Sequence, residues 1–133
     1  MARPKKVSTK KKSVKDESEL LAELAIKGIQ EKKGKEIVCI DLRNIKNTVV
    51  DFFVVCHAES TTQVDAIARS VEETIREAKN EKPWHSEGFE NAEWILIDYV
   101  SIVVHVFRED RRWFYNIEKL WADAEVQKVA ASY

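Results

Sequence analysis

Apolar residues first recur at helical spacing from Leu20: Leu20, Leu21, Leu24, Ala25, Gly28 and Ile29 make one stripe. Asp16 and Ser18 stand ahead of it as caps. Asp16 with Glu19 has capping-box spacing, and Gly34 is the expected left-handed stop. The pattern then changes. Glu36 to Leu42 (EIVCIDL) and Val49 to His57 (VVDFFVVCH) are near-continuous runs of β-branched and aromatic residues, which predict strands of a sheet covered on at least one face. Ser60-Thr61-Thr62-Gln63 repeats the capping-box spacing, and Val64, Ile67, Ala68, Val71, Ile75 and Ala78 mark a long amphipathic helix. The polar stretch from Asn80 to Asn91, with Pro83 and Gly88, reads as a loop. Glu93 to Tyr99 and Ile102 to Phe107 predict two more strands, joined at Val100-Ser101 as a tight antiparallel hairpin. Favoured hairpin turns need positive φ, which valine resists, so a turn wider than two residues is to be looked for there. Asp110 is the expected cap of a C-terminal helix with Phe114, Ile117, Leu120, Trp121 and Ala124 on its inner face.

The predicted order is α-β-β-α-β-β-α, an α/β (or α+β) single domain over residues 16–133 with a mixed four-stranded sheet and flanking helices. The strand–helix–strand unit from Val49 to Tyr99 is expected to be a right-handed parallel crossover, the other neighbours pairing antiparallel. At 133 residues and 44% hydrophobic, the chain can build one real core. No apolar run approaches the roughly 18–20 residues that span a bilayer. The N-terminal lysines have no apolar stretch behind them, unlike a secretory signal. Cys39 and Cys56 sit inside apolar runs without paired spacing, as buried thiols of a reducing compartment do; the cytoplasm is the expected location.

The formal charge of −1 hides an asymmetry. Residues 1–15 carry seven basic residues and no acid, leaving 15 basic residues against all 23 acids, a formal −8, in the rest. A disordered cationic arm is expected ahead of an acidic body. The arm suits RNA phosphates, whereas the body suits a basic protein surface.

Catalytic equipment is not visible. Three scattered glycines (Gly28, Gly34 and Gly88) form neither a P-loop nor a dinucleotide fingerprint. A nucleotidyltransferase needs converging carboxylates on metal ions, but Asp41, Asp51 and Asp98 stand singly and Ser60 has no glycine partner. Cys56 and His57 point to opposite faces of one strand and cannot readily share an ion. Ser60 and Ser86 lack the elbow context of a nucleophile, and His105, within VVHVF, reads as a hydrogen-bonded sheet histidine. No cofactor is expected. Surface chemistry remains: Trp84, Trp94, Trp113 and Trp121 exceed what so small a core needs, and tryptophan, tyrosine and arginine dominate interface hot spots. Trp94, Asp98 and Tyr99, with Arg111, Arg112 and Tyr115, fall in adjacent elements and predict a single docking patch.

These residues carry a resemblance. Asp51 to Ala68 (DFFVVCHAESTTQVDAIA) resembles the strand and Ser-x-x-Gln helix start of the Iojap/RsfS family of ribosomal silencing factors. Glu87 to Trp121 resembles the rest of its signature: Glu-Gly, then a Trp strand ending Asp-Tyr, then Val-Val-His-Val-Phe, then Arg112, Tyr115, Ile117, Glu118, Leu120 and Trp121. The resemblance implies a non-enzymatic factor that docks on ribosomal protein number fourteen of the large subunit and blocks joining of the small subunit. It implies a nucleotidyltransferase-like core without catalytic residues, and a homodimer in isolation. It hands the docking role to Trp94, Asp98, Tyr99, His105, Arg112 and Tyr115, with His105 and Leu120 able to shape the surface from behind. Two features depart from the family pattern: the hairpin turns through Val100-Ser101 instead of Gly-Asp, and the lysine arm, a candidate for rRNA contact, precedes the common core. A degenerate nucleotidyltransferase that binds nucleotide and an RNA-binding adaptor that uses the arm are the competing readings.

Overall fold

The computed structural model describes residues 16–131 and 133; the arm expected over residues 1–15 lies outside the described residues. Helix α1 (Glu17–Glu31) opens with the anticipated capping box. Asp16 Oδ1 accepts the Glu19 N–H at 2.8 Å, and Glu19 Oε1 accepts the Asp16 N–H at 3.2 Å. The chain leaves the helix through Lys33 at φ 60°, not through Gly34 as expected. Gly34 is small for space: a Cβ there would lie 2.3 Å from the Ile29 side chain.

Strands β1 (Lys35–Asp41) and β2 (Phe52–Ala58) pair antiparallel, with a register shift between Lys35 and Val38. Helix α2 (Thr61–Lys79) is capped by Ser60, whose hydroxyl accepts the Gln63 N–H at 3.2 Å. The Gln63 side chain does not return to close the box; it donates to the Lys32 carbonyl and ties α2 to the end of α1. Then follow β3 (His85–Glu87), β4 (Trp94–Asp98), β5 (Ile102–Arg108), α3 (Glu109–Tyr115), α4 (Ile117–Leu120) and β6 (Glu125–Lys128).

Among the described residues six strands, not four, form one sheet in the order β3-β4-β5-β2-β1-β6. The two strands missed by pattern are its edges. β3 is three polar residues inside the expected loop, and all four residues of β6 are exposed. Neither shows apolar alternation; backbone pairing with β4 and β1 alone defines them. The crossover is also corrected: the parallel partner of β2 is β5, not β4. β4 lies outside β5 and antiparallel to it. Burial explains the exchange. β5 is buried from Ile102 to Phe107 on both faces and takes the interior place, whereas β4 alternates and suits a more peripheral one.

One face of the sheet is covered by α1 and α2, which bury Ile37, Val54, Cys56, Ile95, Ile97 and Val104 with the apolar stripes of both helices. The helices approach closely at Gly28, where a Cβ would meet the Val71 Cα at 2.8 Å. On the other face Val38, Ile40, Val55 and Phe107 pack with Leu42 and Ile117, and α3 and α4 cover only part of it.

The C-terminal helix departs from its expected form. Arg108 occupies the cap position without a side-chain cap bond, and the Asp110 carboxylate takes the Arg108 guanidinium instead, at 2.6 and 2.9 Å. Asn116 at φ 48° breaks the element into α3 and α4, and the break resets the helical phase. Phe114 and Leu120, expected on the inner face, are 73% and 75% exposed; Ile117 is buried as expected, and Arg112 is buried with it.

Candidate functional site

Strand alternation sorts the predicted patch onto two faces. Along β4, Trp94 and Asp98 share the face away from α1 and α2, whereas Ile95, Ile97 and Tyr99 belong with the helix-side core. Tyr99 is therefore not part of one surface with Trp94: its ring is buried against the helices. Its hydroxyl has no hydrogen-bond partner, and burial, with Glu72 and Glu81 nearby, pushes the phenol well above its ordinary range.

Trp94 stands opposite Phe107 in the β4–β5 register, and its ring stacks on that of Phe107 at 4.9 Å between centroids. Tyr115, exposed at the end of α3, leans on the other part of the indole at 4.7 Å. The indole N–H reaches diagonally across the strands and donates to Nδ1 of His105 at 3.1 Å. His105 is buried beside Phe53, whose ring meets it edge-on at 4.7 Å and meets Trp121 in turn at 5.7 Å. Burial alone lowers the His105 pKa to about 4, so the imidazole is neutral and its Nδ1 lone pair is free to accept. A small recess of about 170 Å³ opens between Trp94, Tyr115, Gly88, Asn91, Glu93 and Arg111. Glu93 is held there by Arg108 and Arg111 at 3.5 and 3.2 Å.

Asp98 serves the hairpin. Its Oδ1 accepts the Val100 N–H at 2.7 Å, and Ser101 N–H returns to the Tyr99 carbonyl at 2.9 Å, an i→i+2 bond around Val100 at φ 75°. Tyr99 N–H bonds the Ile102 carbonyl, so the loop is two residues long and not wider. The difficulty expected of valine at this turn is met by strain: this is a γ-turn of the rarer hand, in a backbone region that β-branched residues avoid.

Arg112 is the least expected of the set, being only 1% exposed. Its Nη1 donates to the Glu36 carbonyl at 2.7 Å and contacts His57 Nδ1 at 2.9 Å, while Nη2 pairs with Glu118 at 2.9 Å. Glu36, at φ 45°, lies in the register shift of β1, so Arg112 satisfies a carbonyl that the irregular ladder exposes. The same side chain bridges α3 to α4. Burial lowers the His57 pKa, and the Arg112 charge lowers it further. Arg112 cannot meet a partner directly; it sets where the next three residues point.

Those residues are Trp113, Phe114 and Tyr115, exposed by 47%, 73% and 44%, with Leu120 beyond them at 75%. Phe114 and Leu120 were assigned to the core by helical phase and are surface groups. One signal in the chain could have found them: three consecutive aromatics cannot all face one side of a helix, and the next residue is Asn116. Trp84, at 75% exposure, stands apart beside β3, its backbone N–H donating to the Asp98 carbonyl.

Among the described residues no group of three or more His, Cys, Asp or Glu side chains is placed to hold a metal ion. Asp41 is engaged by Arg43 at 2.8 Å. Burial pushes the Cys39 thiol up to about 11 and the Cys56 thiol up to about 12, away from thiolate chemistry. No helix among the described residues is long and apolar enough to cross a membrane.

The α+β scaffold thus carries a partly covered sheet face rimmed by exposed aromatics, with no metal-binding cluster among the described residues. Residues 15–132 match the family described as ribosomal silencing factor during starvation, and the chain belongs to that family. Its sequence is 41% identical over 104 residues to ribosomal silencing factor RsfS of Halalkalibacterium halodurans, covering 78% of this chain and 87% of that one. A Bacillus halodurans crystal structure superposes with a TM-score of 0.70 at 37% identity, covering 84% of this chain and 98% of the other. The chloroplastic protein Iojap of Zea mays is 34% identical over 73 residues, 55% of this chain and 31% of that protein. The protein is thus a ribosomal silencing factor, a regulator that represses translation under starvation and not an enzyme.

Proposed function

We propose that this factor docks on the large ribosomal subunit at ribosomal protein number fourteen and keeps the small subunit away by occupying the joining surface. The observation that carries the reading is the rim of Trp94, Tyr115, Phe114 and Leu120, large apolar groups that stay partly or largely exposed beside the partly covered sheet face. Aromatics so placed are what interface hot spots are made of. Charge supports the choice of partner. The chain beyond residue 15 carries a formal −8, with 15 basic residues against 23 acids, and ribosomal proteins are commonly basic. Steric exclusion needs no reacting group, only an interface of roughly 1,200–2,000 Å².

Within the predicted set, Trp94 and Tyr115 make the contact and Asp98 shapes its hairpin border. Tyr99 and Arg112 act from behind, through packing and through the angle of α3. The lysine arm adds contact with rRNA phosphates, and the cytoplasm is the site of action, although plant relatives carry chloroplastic and mitochondrial names.

Sedimentation with separated ribosomal subunits tests the proposal. The protein should travel with the large subunit alone. Trp94→Ala and Tyr115→Ala should each release it while leaving the far-UV circular dichroism native. Equal recovery of both variants with the large subunit would remove this face from the docking site.

A further inference from the structure

Trp94 belongs to a face with several apolar neighbours, yet its indole N–H does not point to solvent. It ends on His105 Nδ1, 3.1 Å away, across one strand pair and two residues along it. A nitrogen that accepts must be unprotonated, so the imidazole proton sits on Nε2. That atom is buried and has no hydrogen-bond partner. A neutral histidine with one orphaned N–H is a costly way to fill a sheet interior, where a leucine would leave nothing unsatisfied. What distinguishes histidine here is the acceptor it offers to the indole. The rest of the ring is clamped by packing: Phe53 edge-on at 4.7 Å, with Trp94 and Phe107 at 6.0 and 6.2 Å. A donor–acceptor pair fixes rotation about the Trp94 χ angles in a way that stacking on Phe107 does not, because stacked rings slide and flip at little cost.

We propose that His105 is a positioning residue for ribosome docking: it never touches the partner, and it holds the Trp94 indole in the one orientation that meets the partner's surface. This rests on the docking role of Trp94 proposed above. It also assigns the polar end of Trp94. With its N–H engaged inside the protein, Trp94 meets the partner through ring surface alone, so the complementary site is apolar or cationic and offers no hydrogen-bond acceptor to the indole. Holding the ring before encounter removes an ordering cost from binding.

Four variants form the test: His105→Leu, which removes the acceptor; His105→Asn, whose side-chain oxygen restores one; Trp94→Ala; and the double Trp94→Ala/His105→Leu, which closes a cycle. Large-subunit affinity is read by sedimentation, and hydrogen exchange of the Trp94 indole N–H by NMR on the free protein. In the wild type that N–H should exchange far more slowly than that of exposed Trp84. His105→Leu should abolish the difference and weaken subunit binding about tenfold, the equivalent of one well-formed hydrogen bond. His105→Asn should recover most of both. In the Trp94→Ala background His105→Leu should cost nothing further. A wild-type Trp94 N–H exchanging as freely as Trp84 overturns the proposal even if no His105 variant folds. So does wild-type affinity in His105→Leu, equal loss in His105→Asn, or additivity in the cycle. Retained binding by Trp94→Ala is a separate outcome: it removes the docking role on which this proposal stands.

Discussion

The guanidinium of Arg112, on the helix that carries the exposed aromatics, donates at 2.7 Å to the carbonyl of Glu36, the left-handed residue at the irregularity of β1. One charged side chain thereby joins the sheet, α3 and, through Glu118, α4. The chain places a charge inside to fix the angle of a surface.

Removing that charge should be expensive. Arg112→Met keeps most of the length but leaves Glu118 and the Glu36 carbonyl without their donor. A loss of roughly 3 kcal/mol in urea unfolding is expected. Arg112→Lys should recover little, because a point charge cannot serve Glu36, His57 and Glu118 together. A loss under about 1 kcal/mol for Arg112→Met would show that the network adds little to stability.

Val100 offers the opposite change. It sits at φ 75° with 52% of its surface exposed, so its side chain gains little from packing and strains its backbone. Val100→Gly should raise stability by about 1 kcal/mol, the relief of strain exceeding the entropy glycine adds to the unfolded chain. The change should appear as a higher urea midpoint. A lower midpoint would mean that the turn is not strained.

Acid should act through His105. Its folded pKa of about 4 lies below the ordinary 6.5, so between those values the unfolded chain binds a proton that the folded chain refuses. Stability from this group is complete above about pH 6.5 and is lost as pH falls toward 4. The loss amounts to roughly 2 kcal/mol by pH 5. His57, shifted the same way, adds to the loss in the same direction. Urea titrations at pH 7 and 5 should therefore diverge less for His105→Asn than for the wild type. Parallel losses in the two proteins would contradict the assignment of a buried neutral imidazole.

Phe114, 73% exposed, should separate binding from folding. Phe114→Ser is expected to change stability by no more than about 0.5 kcal/mol while weakening large-subunit binding about tenfold or more. Calorimetry and sedimentation on the same preparation read both, and unchanged binding would exclude α3 from the interface.

The legible and illegible parts of this fold differ for physical reasons. α1, α2 and the inner strands announce themselves because each buries an apolar face whose spacing is set by its own geometry. β3 and β6 bury almost nothing and exist by backbone pairing, β3 with the neighbouring β4 and β6 with β1 far away in sequence, so no apolar pattern marks them. The exchange of β4 and β5 was partly readable, since Ile102 to Phe107 lacks the alternation seen in β4. The separation of Trp94 from Tyr99 was readable in full: five residues apart on an extended segment, they must face opposite ways. Arg112 was not readable. An arginine in an amphipathic helix reads as solvent-facing, and only the displaced Glu36 carbonyl, 76 residues earlier, gives it a reason to turn inward.

The central claim, that this factor silences by standing where the small subunit must land, is tested most directly by the rate at which purified subunits associate, followed by light scattering. With the large subunit saturated beforehand, association should slow in proportion to occupancy, and Trp94→Ala should restore the free rate. An unchanged rate at full occupancy would contradict the account.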